Sequence, residues 1–160
     1  KIELILTRLG FKTGPFNFDI FVTKHDDIIV NEIGPRSGGN FIPTIIKKQT
    51  GVDMIKGAVE NCVDDNFSLS ADFKKPKDYF GSYMIHVKNN YGRFESIDIS
   101  SYFLKFIHKK TMYKNKRELI EPFTSGNKAL GNVIIKTKSI NKMRKFFNSD
   151  IHKYFNVRLS

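Results

Sequence analysis

Residues 14–40, GPFNFDIFVTKHDDIIVNEIGPRSGGN, constrain the fold more than any other stretch of the chain. Phe16, Phe18, Ile20 and Val22 alternate with Asn17, Asp19 and Phe21, which is the period of a β-strand. A polar connection at Lys24–Asp27 leads to a second strand, IIVNEI, at 28–33. A connection of two or four residues sets Asp19 directly opposite Glu32, on one side of the sheet, and Asn17 opposite Gly34. Like charges facing each other across a hairpin destabilise it. Two adjacent carboxylates also push one pKa upward unless a cation lies between them. Oxygen ligands from neighbouring strands suit Mg²⁺, which is usually completed by water and substrate phosphates. The alternative is a register slipped by one residue, with the acids pointing apart as solvated side chains.

The strand exit, GPRSGGN at 34–40, carries the second half of the pattern. Gly34-Pro35 ends the strand, and Gly38-Gly39 lets the backbone turn and approach a ligand closely. Arg36 follows Glu32 by four residues, where its planar donor fork is suited to phosphate or carboxylate oxygens. Asn40 or nearby backbone amides then open a short helix through Pro43, Ile45 and Ile46. Plain turn chemistry for the glycines and a surface-loop role for Arg36 are the competing explanations.

The rest of the chain divides by charge. Residues 1–80 carry 11 Lys/Arg and 11 Asp/Glu, whereas 81–160 carry 16 against 5, which accounts for the net charge of +11. A solvated face is the first explanation, because the basic residues are spread over several elements. A hydrophobic content of 40% with 15 Phe supplies a packed interior. No apolar run reaches membrane-spanning length, so no membrane partner is expected. The single cysteine, Cys62, rules out an internal disulfide and makes a reducing cytoplasm the expected compartment. Cys62 falls on the apolar stripe Met54, Ile55, Ala58, Val59 of a helix expected at 52–63, which points to core packing.

Along the chain, Ile2, Ile5, Leu6 and Leu9 share a helical face that Gly10 ends. Lys1 already lies inside that pattern, so a fragment with an upstream segment is expected. Three regions follow: 1–66 with the candidate site, a linker at 67–78 around Pro76, and a basic α+β module at 79–160. That module is expected to open with a hairpin, YFGSYMIHVK turning at Asn89–Gly92 into RFESIDI. Residues 101–110 fit helix or strand, and 111–130 read as irregular. A strand at 132–138, a helix at 140–153 capped by Ser139 and a last strand at 155–159 complete it. His25, His86, His108 and His152 show no ligand spacing.

The acid in the first strand followed by E-x-x-P-R-x-G-G resembles the metal-binding end of the ATP-grasp ligases. The likeness is to the branch of carbamoyl-phosphate synthase large subunit, biotin carboxylase and phosphoribosylamine–glycine ligase. The lead-in LGF-x-x-GPFNFD and the helix TGVDMIKGAVE are similar to that branch in detail over 1–62, and 79–160 is similar in layout only. The resemblance implies an α+β fold: the C-terminal half of an ATP-grasp fold, an antiparallel sheet with flanking helices, plus a small C-terminal α+β module. It implies an ATP- and Mg²⁺-dependent ligase that activates a carboxylate or bicarbonate as an acyl-phosphate for attack by an amine. Asp19 and Glu32 then match the Mg²⁺ carboxylates, and Arg36 the arginine beside the transferred phosphate. Asn17, Gly38 and Gly39 complete the nucleotide-facing set. The family usually carries Asn two residues after the second carboxylate, and here Gly34 stands there. The full two-metal complement is therefore not implied, and Asn17, facing Gly34, offers a replacement amide oxygen. The adenine pocket, lid and substrate domain would lie before Lys1, so the fragment alone is expected to be inactive without that part.

Two other classes compete. A basic nucleic-acid or anion-binding module gains from the charge and from aromatics interleaved with Lys at 102–117. Nucleic acid is not the expected partner, because no recognised motif appears and the aromatics keep core-like spacing. A degenerate, non-catalytic family member is the other reading, with Gly34 as its mark.

Overall fold

The alternation at 16–33 folds into two antiparallel strands, β1 (Asn17–Val22) and β2 (Ile28–Gly34), in a computed structural model that describes residues 1–64, 66–69 and 76–160. The chain divides into two compact units, Lys1–Lys74 and Lys75–Ser160. The strand connection runs from Thr23 to Asp27, five residues, one more than the longer of the two expected lengths. Thr23 organises it: its Oγ1 accepts from the N–H groups of His25 (3.2 Å) and Asp27 (3.1 Å), and Asp26 takes a left-handed φ of 61°. Near the turn Val22 therefore pairs with Ile28 and Ile20 with Val30. A β-bulge at Asn31 then restores the expected register, so that Asp19 faces Glu32 and Asn17 faces Gly34.

The other elements of the first unit are helices. The first, α1 (Ile2–Arg8), ends at Gly10 (φ +79°), where the N–H groups of Gly10 and Phe11 donate to the carbonyls of Thr7 and Leu6. That paired arrangement needs a left-handed residue, which glycine adopts without strain. α2 (Ile42–Thr50) opens at Phe41, and α3 (Met54–Asn61) at Asp53, whose carboxylate accepts from the Lys56 N–H and pairs with Lys47. Those two contacts, Lys47 first, hold the Asp53 carboxyl below the ordinary carboxylate range.

Cys62 does not pack in a core: it is exposed, with its thiol donating to the Ala58 carbonyl. The physical reason lies in the helix face. α3 buries Gly57 and turns Met54, Ala58 and Asn61 inward, which leaves Ile55, Val59 and Cys62, on the other side of the helix, in solvent. Leu69, within the stretch expected as a linker, lies against Gly57, and residues 70–75 of that stretch are outside the described ones.

The second unit holds the core. Its central strand, β7 (Gly131–Thr137), is nearly continuous buried apolar sequence and requires partners on both edges. β3 (Tyr79–Ile85) and β5 (Ile107–Met112) supply them, both antiparallel. β4 (Gly92–Ile99) joins a second sheet, between β6 (Leu119–Ile120) and β8 (Phe155–Leu159). The expected β3–β4 hairpin is thus overturned, because β3 is drawn to the buried edge of β7 rather than to its sequence neighbour. The stretch 101–110 resolves into a short helix, α4 (Ser101–Leu104), and the start of β5. Ser139 caps α5 (Ile140–Asn148), with its side chain accepting from the Lys142 N–H. α5 stops short of the expected 153, and a 3-10 turn at Ile151–Tyr154 leads into β8.

Phe103 is the centre of the interior. It is fully buried, stacks on Tyr154 at 4.6 Å between ring centroids, and meets Phe146 edge-on at 5.1 Å. Phe103→Ala is expected to cost about 3–5 kcal/mol of this unit's stability, read by denaturant unfolding.

His86 and His152, which carry no motif, are brought together with ring centroids 5.1 Å apart, and His152 Nδ1 lies 3.3 Å from the Tyr83 hydroxyl. Burial, then His86 and Lys88, holds the His152 pKa below its ordinary 6.5. The unfolded chain therefore takes up that proton more readily than the folded one. The stability is complete above the ordinary value and declines as pH falls through it. Thermal melts from about pH 7 to about pH 5 should show a smaller loss for His152→Gln than for the natural chain.

Candidate metal and phosphate site

The bulge at Asn31 positions the site. Between it and the strand ends, pairing is regular, so Asn17 and Asp19 on β1 share a face with Glu32 and Gly34 on β2. Asp19 and Glu32 are both exposed, and neither side chain has a hydrogen-bond or ion-pair partner among the described residues. Two carboxylates directly opposite each other are an unfavourable arrangement for a hairpin on its own.

Arg36 folds back over this end of the hairpin. Its backbone N–H donates to the Gly34 carbonyl at 2.8 Å, and its Nη1 donates to the Ser37 carbonyl at 3.1 Å. A methyl group at Gly34 would lie 3.7 Å from Arg36 Cγ and 3.8 Å from its Nε. Arg36 forms no ion pair with either acid among the described residues, so its guanidinium charge stands uncompensated beside the carboxylate face. The contacts at Gly34 are ordinary van der Waals distances and its φ is not left-handed, so the position has room for a larger side chain.

The two glycines expected to turn the backbone differ from each other. Gly38 is a close-approach position: a methyl there would sit 3.1 Å from both Asn17 Oδ1 and Ile42 Cβ. A methyl at Gly39 would meet nothing within 4 Å. The left-handed conformations fall one step later, on Asn40 (φ 52°) and Phe41 (φ 62°), as the chain enters α2. The structure thus brings Asn17, Gly34, Arg36 and Gly38 into one corner, next to the Asp19–Glu32 pair, and leaves open space around Gly39.

The donor set fits a hard divalent cation. Two carboxylates without an ion pair among the described residues and an amide on one face offer oxygen ligands, held in place by the strand pairing. Among the described residues there is no cluster of three or more His, Cys, Asp or Glu side chains, so any remaining ligands would come from water or a bound phosphate.

With this geometry the class of fold can be assigned: the chain has a partial ATP-grasp fold. Solved ATP-grasp ligases superpose on nearly all of it. Phosphoribosylglycinamide synthetase from Anaerococcus prevotii matches with a TM-score of 0.73 at 19% identity, over 99% of this chain and 40% of that one. L-amino acid ligase from Bacillus licheniformis matches with a TM-score of 0.74 at 20% identity, over 97% and 38%. The biotin carboxylase domain of 2-oxoglutarate carboxylase from Hydrogenobacter thermophilus, solved with MgADP, ADP and bicarbonate, matches with a TM-score of 0.61 at 13% identity, over 96% and 34%. The chain therefore spans well under half the length of these enzymes. No protein-family model matches the sequence, and no curated protein does.

Proposed function

We propose that this chain is the metal- and phosphate-facing part of an ATP-dependent ligase of the carbamoyl-phosphate synthase, biotin carboxylase and phosphoribosylamine–glycine ligase branch. Its substrate is a carboxylate or bicarbonate, activated as an acyl-phosphate for attack by an amine, and its compartment is the cytoplasm. The observation that carries this reading is the facing, unpartnered Asp19–Glu32 pair within a partial ATP-grasp fold. Asp19 and Glu32 hold Mg²⁺, with Asn17 contributing its amide oxygen in place of the side chain that Gly34 lacks. The cation, when bound, neutralises phosphate charge and orients the transferred group. Arg36 binds the phosphate oxygens from the same corner, its fork matched to their geometry. Gly38 keeps the exit loop close to Asn17, which positions that amide.

The chain does not act alone in this reading. Its first unit has only Pro43 and Gly57 buried among the described residues, while Phe21, Val22, Ile29 and Leu9 are all more than half exposed. Apolar surface of that extent normally has a covering partner. The missing remainder of the ligase supplies that cover together with the adenine pocket, and the 160 residues by themselves are inactive. No helix among the described residues is long and apolar enough to cross a membrane.

Paramagnetic Mn²⁺ tests the assignment directly on this chain. It should broaden the amide resonances of Asn17, Asp19, Glu32 and Gly34 selectively, and Asp19→Asn with Glu32→Gln should abolish the effect. Gly34→Asn, for which there is room, should tighten Mn²⁺ binding severalfold. Broadening spread evenly over all the acids would remove the proposal.

A further inference from the structure

The charge excess of the second unit is not evenly neutralised. Each described carboxylate of this unit is already in an ion pair: Asp78 with Lys136 and Lys138, Glu95 with Lys116, Asp98 with Arg158, Glu118 with Lys114, Glu121 with Lys128, and Asp150 with Lys88. The cations of α5 and the 3-10 turn after it are left out of this pairing. Lys142, Arg144, Lys145 and Lys153 have no carboxylate within ion-pair distance among the described residues.

Three of these four converge on one cleft. It has a volume of about 420 Å³ and is lined by Tyr102, Asn141, Lys142, Lys145, Lys153 and Tyr154, among others. That size falls within the range of small-molecule sites, roughly 300–1,000 Å³. Two of the three ammonium groups, those of Lys142 and Lys153, are held at its walls by rings rather than by acids. Lys142 Nζ lies 4.1 Å from the Phe106 ring centroid and 5.8 Å from that of Tyr102, and Lys153 Nζ lies 5.3 Å from that of Tyr154. A cation–π contact fixes the position of an ammonium without cancelling its charge, so the cleft keeps a positive field. Tyr102 is also half exposed, at 49%. Its ring is braced edge-on by Phe106 at 5.6 Å and by Phe146 at 6.4 Å, which holds the plane in place.

We infer that this cleft binds a flat aromatic ring carrying a phosphate, a ligand of nucleoside monophosphate size. The ring stacks on the exposed part of Tyr102, and the phosphate is bound by Lys142, Lys145 and Lys153. Asn141 offers both a donor and an acceptor to the polar edge of the ring. The site lies entirely within the second unit and does not rest on the ligase reading of Asp19 and Glu32. Its ligand is a small molecule rather than a nucleic-acid strand, because the lysines gather at one cleft instead of tracking along a groove.

AMP without divalent cations is the probe, followed by ¹⁵N amide shifts of the 160-residue chain. Omitting the metal keeps the Asp19–Glu32 site out of the measurement. Saturable shifts should centre on Tyr102, Lys142, Lys145 and Lys153, weaken with added salt, and exceed in affinity those of inorganic phosphate by about tenfold. The triple substitution Lys142→Gln, Lys145→Gln, Lys153→Gln, confined to surface charge, should weaken AMP by about tenfold or more. Tyr102→Leu should lower AMP affinity and leave that of phosphate unchanged. Equal affinity for AMP and phosphate, or AMP binding that survives the triple substitution, overturns the inference. So does a single-stranded oligonucleotide that binds with a steep salt dependence where AMP does not.

Discussion

Asp19→Asn or Glu32→Gln, introduced into an active ligase carrying this chain, is expected to lower ATP-dependent turnover by about 10³-fold or more, the scale on which loss of preorganised electrostatic stabilisation acts. The melting temperature should stay the same or rise slightly. The two effects have one origin. The carboxylates face each other across β1 and β2, and neither is ion-paired among the described residues, so each is a liability to the hairpin that a bound metal would relieve. An acid retained for structure would behave in the opposite way, losing stability when neutralised. Steady-state kinetics with a parallel thermal melt separates the two. Turnover within a few-fold of the natural enzyme would refute the metal assignment for that residue.

The second large effect concerns the two units taken separately. Residues 75–160 alone should unfold cooperatively, whereas residues 1–74 alone should show poor amide dispersion, bind a hydrophobic dye and melt without a sharp transition. The buried cluster that includes Ile85, Phe94, Phe103, Leu130, Val133, Ile135, Phe146 and Phe155 belongs wholly to the second unit. The first unit has a two-stranded ladder, and such hairpins are at best marginally stable in water without further strands or a packed helix. Its helices α2 and α3 keep Ile42, Ile55 and Val59 in solvent. A sharp, cooperative melt of residues 1–74 would show that this unit closes a core of its own, contrary to the incomplete fold described above.

Much of the candidate site's geometry was legible because it is set locally. Strand alternation, the spacing of Asp19 and Glu32, and the Gly-Pro break before Arg36 all act within a few residues. The facing of the two acids was correct although the connection is longer than the spacing implied, because the bulge at Asn31 compensates. Ser139 likewise takes the position at a helix start that its own side chain favours. Where the reading failed, a distant partner decided. Cys62 followed the apolar stripe of α3, yet the face that α3 buries is the one bearing Gly57, where Leu69 lies.

The amino-acid sequence by itself therefore determined the hairpin, its facing acids, the arginine beside them and the mixed α+β class, since each depends on side-chain period, turn chemistry and helix caps. Only the tertiary structure decided which strands share a sheet. β3 leaves its neighbour β4 to pair with β7, because a buried apolar strand requires hydrogen-bonding partners on both edges. It also decided that Lys142, Lys145 and Lys153 gather with Tyr102 at one cleft, and that the rings of His86 and His152 lie side by side. Those neighbours are set by packing across long stretches of chain, which no short-range pattern encodes.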